Sequence, residues 1–486
     1  MQYTSLKSYK LKKGKFISPW NELATPMEDN KSWTYGRLPE YLWVGLVFYK
    51  YGRTEGLRRL GVLMGRLSKV EGLNHIRFSD FLGLPDNDRK KVFSELAENL
   101  GVDAIAPLTV IISSEIDSVF ATIFSSSISI EDRVNTLTSC MRKIMGHQSD
   151  EATDIRYVIL YYSVLIGKMH LMKEQYELLY RYQFLSHNDD DMRMIRPLIR
   201  STEMMLLTME SADTDYLTLF WTRVSELTEC DLYMINHEEE TRDTNRYLEI
   251  VKSIFLYWQN LHITCNPLDK KTKIILGIAT YSYKRLEEAE MHNLYNSISG
   301  RSTVRSMIEN YIMLKYLSIK ESEKENIWDD YEQYGIGQYK LTLARYREMG
   351  SDRETHIDTN LVEALVNEYK FEEFLDMDTS YFNSDNIRKK AEIVNEKELY
   401  ALQYDYDSAY EHGLWGAIRE CAMLKCDNPA HQYHCVPNIE NDICLKSVFE
   451  DCVYIMNKTI LFISDIYGLP KNMLEEALNF ERSLRN

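Results

Sequence analysis

Turn formers are scarce in this chain. Its 486 residues include only 10 prolines and 20 glycines. So little punctuation over such a length excludes a protein of many short strands and favours long helices. Long apolar runs are missing too. The nearest, "YVILYYSVLIG", falls short of the roughly 18 residues that a membrane span needs. The start, "MQYTSLKSYKLKKGK", has no apolar leader core. Positive charge is in deficit, with a net charge of -17, which argues against non-specific duplex binding. Local lysine clusters remain near the start and around Lys270. The 8 cysteines are scattered, as in a protein with reduced thiols. These absences predict a cytoplasmic protein that does not enter a membrane.

Nucleotide and metal signatures are also lacking. "YGIGQYK" does not have the spacing of a phosphate-wrapping loop, and there is no HExxH or GxSxG. No cofactor is expected. Arg-to-His pairs at the four-to-six-residue spacing of HEPN ribonucleases occur three times, at Arg142/His147, Arg181/His187 and Arg285/His292. That is close to the chance number, and none is followed by the Asn, Asp or His usual after the arginine.

Hydrophobic residues make up 44%, enough for a substantial core. They recur at three- and four-residue steps in segment after segment. The pattern predicts an all-α protein, a two-lobed multi-helix bundle with little or no sheet. The acidic stretch "NHEEETRDTNR" interrupts the rhythm, so the lobes are expected at 1–240 and 241–486.

Three segments of the second half could carry chemistry. In "RSTVRSMIENYIMLKYL", apolar residues lie nearly all round the helix, with Arg305 and Glu309 one turn apart. A buried charge needs a partner, so the two are expected to pair, either as a structural bridge or beside a cleft. In "YDYDSAYEHGLWGAI", a single helix from Asn395 would carry Leu399, Leu402, Tyr406, Tyr410, Gly413, Ala417 and Leu424 as its core stripe. Ser408 and His412 would then face away from that stripe, hydrogen-bonded to each other beside Trp415. A histidine there can take and return a proton at cytosolic pH, with Ser408 orienting it. A packed, purely structural histidine fits the same pattern. In "CAMLKCDNPAHQYHC", Cys421, Cys426, His431, His434 and Cys435 have the softness zinc prefers, but the spacing matches no common finger or ribbon. No bound metal is expected, and "DNPAH" reads as a turn.

Taken in order, these three segments resemble a family of uncharacterised bacterial helical proteins found in phage-defence and abortive-infection settings. The family pattern is an Arg-x-x-x-Glu helix, a Ser-x-x-x-His-Gly helix and an Asn-Pro-x-His segment. Arg305 and Glu309, then Ser408, His412 and Gly413, then Asn428, Pro429 and His431 fit it by position. The resemblance implies a defence effector, HEPN-like in action: a metal-independent nuclease-like toxin directed at RNA or a nucleotide. His412, with His431 or His434, would move protons while Arg305 and Glu309 support the phosphate and its surroundings. The other expectation is a non-enzymatic helical sensor or interaction component of a defence or toxin–antitoxin system, engaging a partner protein or a second copy. The aromatic content of 12% suits that role as well as it suits a helical core.

Overall fold

A computed structural model describes residues 5–19, 32–207, 213–238, 242–265, 269–349, 355–369 and 375–485. Residues 239–241 of the acidic stretch lie outside these. The described residues are mostly helical, with one two-stranded and one three-stranded sheet. The chain divides into two compact units. One takes residues 1–233 and 425–435, the other 234–424 and 436–486.

The first unit opens with a hairpin, β1 (Lys10–Lys12) and β2 (Lys15–Ile17). Its centre is α1 (Leu38–Leu67), whose first half is buried on all sides through Leu38, Leu42, Trp43, Val44 and Val47. Full burial of each large side chain contributes roughly 1.5–3 kcal/mol, and the Trp43 indole satisfies its N–H on the Ile76 carbonyl at 3.0 Å. Gly52, at φ 72°, kinks α1. Around it pack α2 (Asp86–Leu100), α3 (Ile130–Ile144) and α4 (Asp150–Leu165). Ser129 and Ser149 cap α3 and α4 by accepting from backbone N–H groups. Gly101 ends α2 at φ 79°. α5 (Met192–Leu207) lies on α4, and α6 (Thr214–Glu226) closes the unit. After α6 comes β3 (Leu232–Tyr233), which pairs antiparallel with β4 (Met423–Cys426), Leu232 opposite Cys426. β5 (Cys435–Pro437) completes the three-stranded sheet in the order β3–β4–β5.

Residues 425–435 therefore sit with the first unit rather than with the C-terminal lobe in which the sequence rhythm puts them. The physical cause is local. Asn428 caps the short turn Pro429–His431 and donates to the Glu229 carbonyl at 2.8 Å. Ala430, 1% exposed, plugs the first core.

The second unit is built around α9 (Ile298–Lys320), between α8 (Lys270–Met291), which itself packs on α7 (Thr244–Cys265), and a later layer. That layer holds α10 (Asp405–Glu411), α11 (Trp415–Cys421), α12 (Phe449–Tyr467) and α13 (Lys471–Leu484). Val304, Met307, Ile308, Ile312, Leu314 and Leu317 of α9 are buried, as the all-round apolar pattern predicts. Gly300 lets the preceding chain close on α9; a Cβ there would collide with the Leu294 carbonyl.

The expected single helix from Asn395 is corrected. Residues Tyr400–Tyr404 form a π-helical turn, and Gly413, at φ 56°, ends α10 before α11 begins. A π turn carries one extra residue and rotates the residues after it by roughly 100° relative to an α-helix. Leu399, Tyr410 and Ala417 are buried as expected, but Leu402 and Tyr406 turn outward while Tyr404 and Asp407 turn in.

Candidate functional site

The rotated helix brings polar side chains against α9. Arg301, Arg305 and Glu309 recur every four residues along one face of α9, opposite Tyr404, Asp407 and Ser408. Arg305 Nε donates to Ser408 Oγ at 3.1 Å, and its Nη2 donates to Tyr404 Oη at 3.1 Å. The guanidinium lies 5.0 Å from the Tyr404 ring centroid. Ser408 Oγ donates in turn to the Tyr404 carbonyl at 2.7 Å. Tyr404 Oη reaches Glu309 at 3.4 Å, and Tyr381 Oη donates to the other Glu309 oxygen at 2.7 Å. Burial, then the Glu309 charge, pushes the phenols of Tyr404 and Tyr381 upward, so both stay protonated donors.

Arg305 and Glu309 thus come together, but among the described residues they form no direct ion pair. Tyr404 stands between them. Both are half-buried. Arg305→Ala should therefore cost about 1–2 kcal/mol of hydrogen bonding, less than a broken buried ion pair. A fall in melting temperature of about 2–6 °C is expected. An unchanged melting point would mean that the seam contributes nothing.

Behind Arg305 the seam is deeper. Arg301 donates to the carbonyls of Tyr295 at 3.2 Å and Lys446 at 2.6 Å. Asp407 is buried and accepts no hydrogen bond among the described residues. Burial raises its carboxyl to about 7 against the opposing pull of Arg301. Arg301, Tyr381 and Asp407 were not foreseen. The four-residue repeat from Arg301 to Glu309 was a usable signal for the first; nothing local points to Tyr381.

His412 is placed differently from the expected Ser408–His412 contact. Its backbone N–H caps α10 on the Ser408 carbonyl at 3.1 Å, while its side chain is exposed and makes no hydrogen bond among the described residues. Ser408 Oγ is already committed to Arg305 and Tyr404. The neighbouring Leu414 and Trp415 are 55% and 61% exposed. The lysine cluster near Lys270 offers no free basic patch, since Lys270, Lys271 and Lys273 pair with Asp329, Glu321 and Glu332.

His431 and His434 belong to the first unit, where they meet Cys426 and, from the segment after α6, Cys230. One ligating atom from each of the four lies within 4.8 Å of all the others. Cys230 was not among the sequence candidates, because it precedes His431 by 201 residues. Cys421 lies elsewhere, in a small cluster with Tyr410, Ala417 and Leu445.

The class these observations define is a two-unit helical protein with a polar seam across its second bundle. Within it, residues 273–431, about a third of the chain, match the Family of unknown function (DUF5677). That match spans the seam from α8 to His431 and leaves out Cys230 and His434. No curated protein and no solved structure matches the chain.

Proposed function

We propose that the α9–α10 seam binds a phosphate-bearing ligand, RNA or a nucleotide, and that the protein acts on it as a nuclease-like effector. The observation that carries this reading is Arg305. Two hydrogen bonds and the Tyr404 ring fix its guanidinium plane, yet Nη1 has no partner among the described residues. A preorganised arginine with a free donor suits an anionic oxygen, and it costs little reorganisation when charge builds on a phosphoryl group. His412, one turn past Ser408 and open to solvent, takes the proton of the attacking ribose hydroxyl, and water protonates the leaving oxygen. The resemblance of the ordered motifs to defence-associated helical proteins supports RNA as the target.

The test is cleavage of single-stranded RNA by purified protein, alongside growth of cells expressing it. Arg305→Ala and His412→Ala should each lose activity on the order of 100-fold while folded. Ser408→Ala should lose less, because Tyr404 still holds Arg305. A folded, fully active His412→Ala protein removes the histidine from the chemistry.

A second reading, the non-enzymatic interaction component, is favoured by exposed Leu414 and Trp415 beside His412. It stands if no RNA is cut and Trp415→Ala, rather than Arg305→Ala, abolishes the cellular effect.

A further inference from the structure

The geometry points to a tetrahedral zinc site in the first unit, formed by Cys230 Sγ, Cys426 Sγ, His431 Nδ1 and His434 Nε2. The distances carry it. Cys230 Sγ stands 3.3 Å from both His431 Nδ1 and His434 Nε2, and Cys426 Sγ stands 3.6 Å from His431 Nδ1. Zinc bonds of about 2.3 Å to sulfur and about 2.0–2.1 Å to nitrogen, at tetrahedral angles, put such ligands roughly 3.6 Å apart.

The tautomer of His431 agrees. Its Nε2 lies 3.2 Å from the Thr228 carbonyl oxygen and 3.3 Å from that of Ser225, and 3.1 Å from Thr228 Oγ1, whose own proton goes to the Val224 carbonyl at 3.3 Å. Carbonyls only accept, so the ring proton sits on Nε2 and donates there. The lone pair is left on Nδ1, the atom that faces two sulfurs. This is the outer-shell bond that orients a metal-binding histidine. Neutral thiols and imidazoles share protons only pair by pair, whereas a cation at the centre accepts all four lone pairs at once, which suits four ligating atoms that all lie within 4.8 Å of one another.

The backbone is bent to the same end. Gln432 and Tyr433 both take positive φ, 54° and 53°, without being glycine. Such residues persist where the surroundings over-determine them. Here the two bends return His434 to Cys230, and the His434 carbonyl accepts from the Cys426 N–H at 3.0 Å.

Two thiolates and two neutral imidazoles in a tetrahedron select zinc. Four protein ligands leave no open position, so the ion is structural and fastens 425–435 to the segment after α6. The local run Cys426-x4-His431-x2-His434 matches no common finger because its fourth ligand lies far upstream. The expectation of a metal-free chain rested on that local spacing.

Full-length protein purified under reducing conditions should carry one zinc per chain by elemental analysis, restored by added zinc after chelation. Cys230→Ser and His434→Ala should each lower the content at least tenfold. Cys444→Ser, in the second unit, should leave it unchanged. A readout on the unaltered chain avoids any folding defect of the variants: alkylation of exposed Cys230, mapped by mass spectrometry, should slow at least tenfold with zinc and recover with chelator. Zinc that fails to bind the reduced protein, zinc retained in Cys230→Ser, or a Cys230 alkylation rate indifferent to zinc would each overturn the assignment.

Discussion

Glu203→Ala should destabilise the first unit by about 3–5 kcal/mol, the cost of stranding buried charge. Glu203, on α5, is 1% exposed and lies between Arg37, just before α1, and Arg156 on α4. Both guanidinium groups also face the Trp33 ring, at 5.2 Å and 4.3 Å. Burial draws Arg156 down to about 10 even with Glu203 opposing it. Removing the carboxylate leaves two cations side by side in the core. Hydrogen exchange at the amides of α1 and α4 should accelerate by on the order of 100-fold or more. Replacing all three residues by apolar side chains of similar volume should recover most of the loss, because the pair attraction and the desolvation cost disappear together. Exchange left unchanged in Glu203→Ala would show that the triad is already wet.

Asp407→Asn should have the opposite sign and depend on pH. The folded-state pKa of Asp407, about 7, lies above its ordinary value of 3.8. A carboxyl raised in this way contributes stability that is fully present below pH ~4 and lost as pH rises through ~7. Near pH ~3, below both values, the variant and the parent should unfold at similar denaturant concentrations. By pH 8 the variant should be more stable, by up to roughly 4 kcal/mol. A difference that stays constant between pH 4 and 8 would mean that Asp407 is solvated.

Local pattern made part of this architecture legible. The apolar residues around α9 announced a central helix. The apolar run "YVILYYSVLIG" ends at Gly167, whose φ of 74° separates α4 from the helix Lys173–Tyr182. The candidate site was half legible. Arg305, Glu309 and Ser408 were singled out from helix periodicity, and they do converge. Their true partners were hidden because the π turn at Tyr400–Tyr404 changes the phase, and periodicity at 3.6 residues per turn cannot anticipate it. Tyr381 and Cys230 come from distant segments, and no spacing rule reaches that far.

The return of residues 425–435 to the first unit has a consequence for how the protein is made. On the ribosome, residues 1–233 emerge first, but the strand that pairs with β3 and the alanine that plugs the core emerge roughly 190 residues later. At about 5–20 residues per second, this interval lasts roughly 10–40 s. During it the β3 edge lies open and Cys230 waits without its partners, while most of the second bundle is synthesised. The nascent chain must therefore hold an unfinished unit throughout this interval, and a chaperone acting before residue 435 is made meets a protein whose first half is still incomplete.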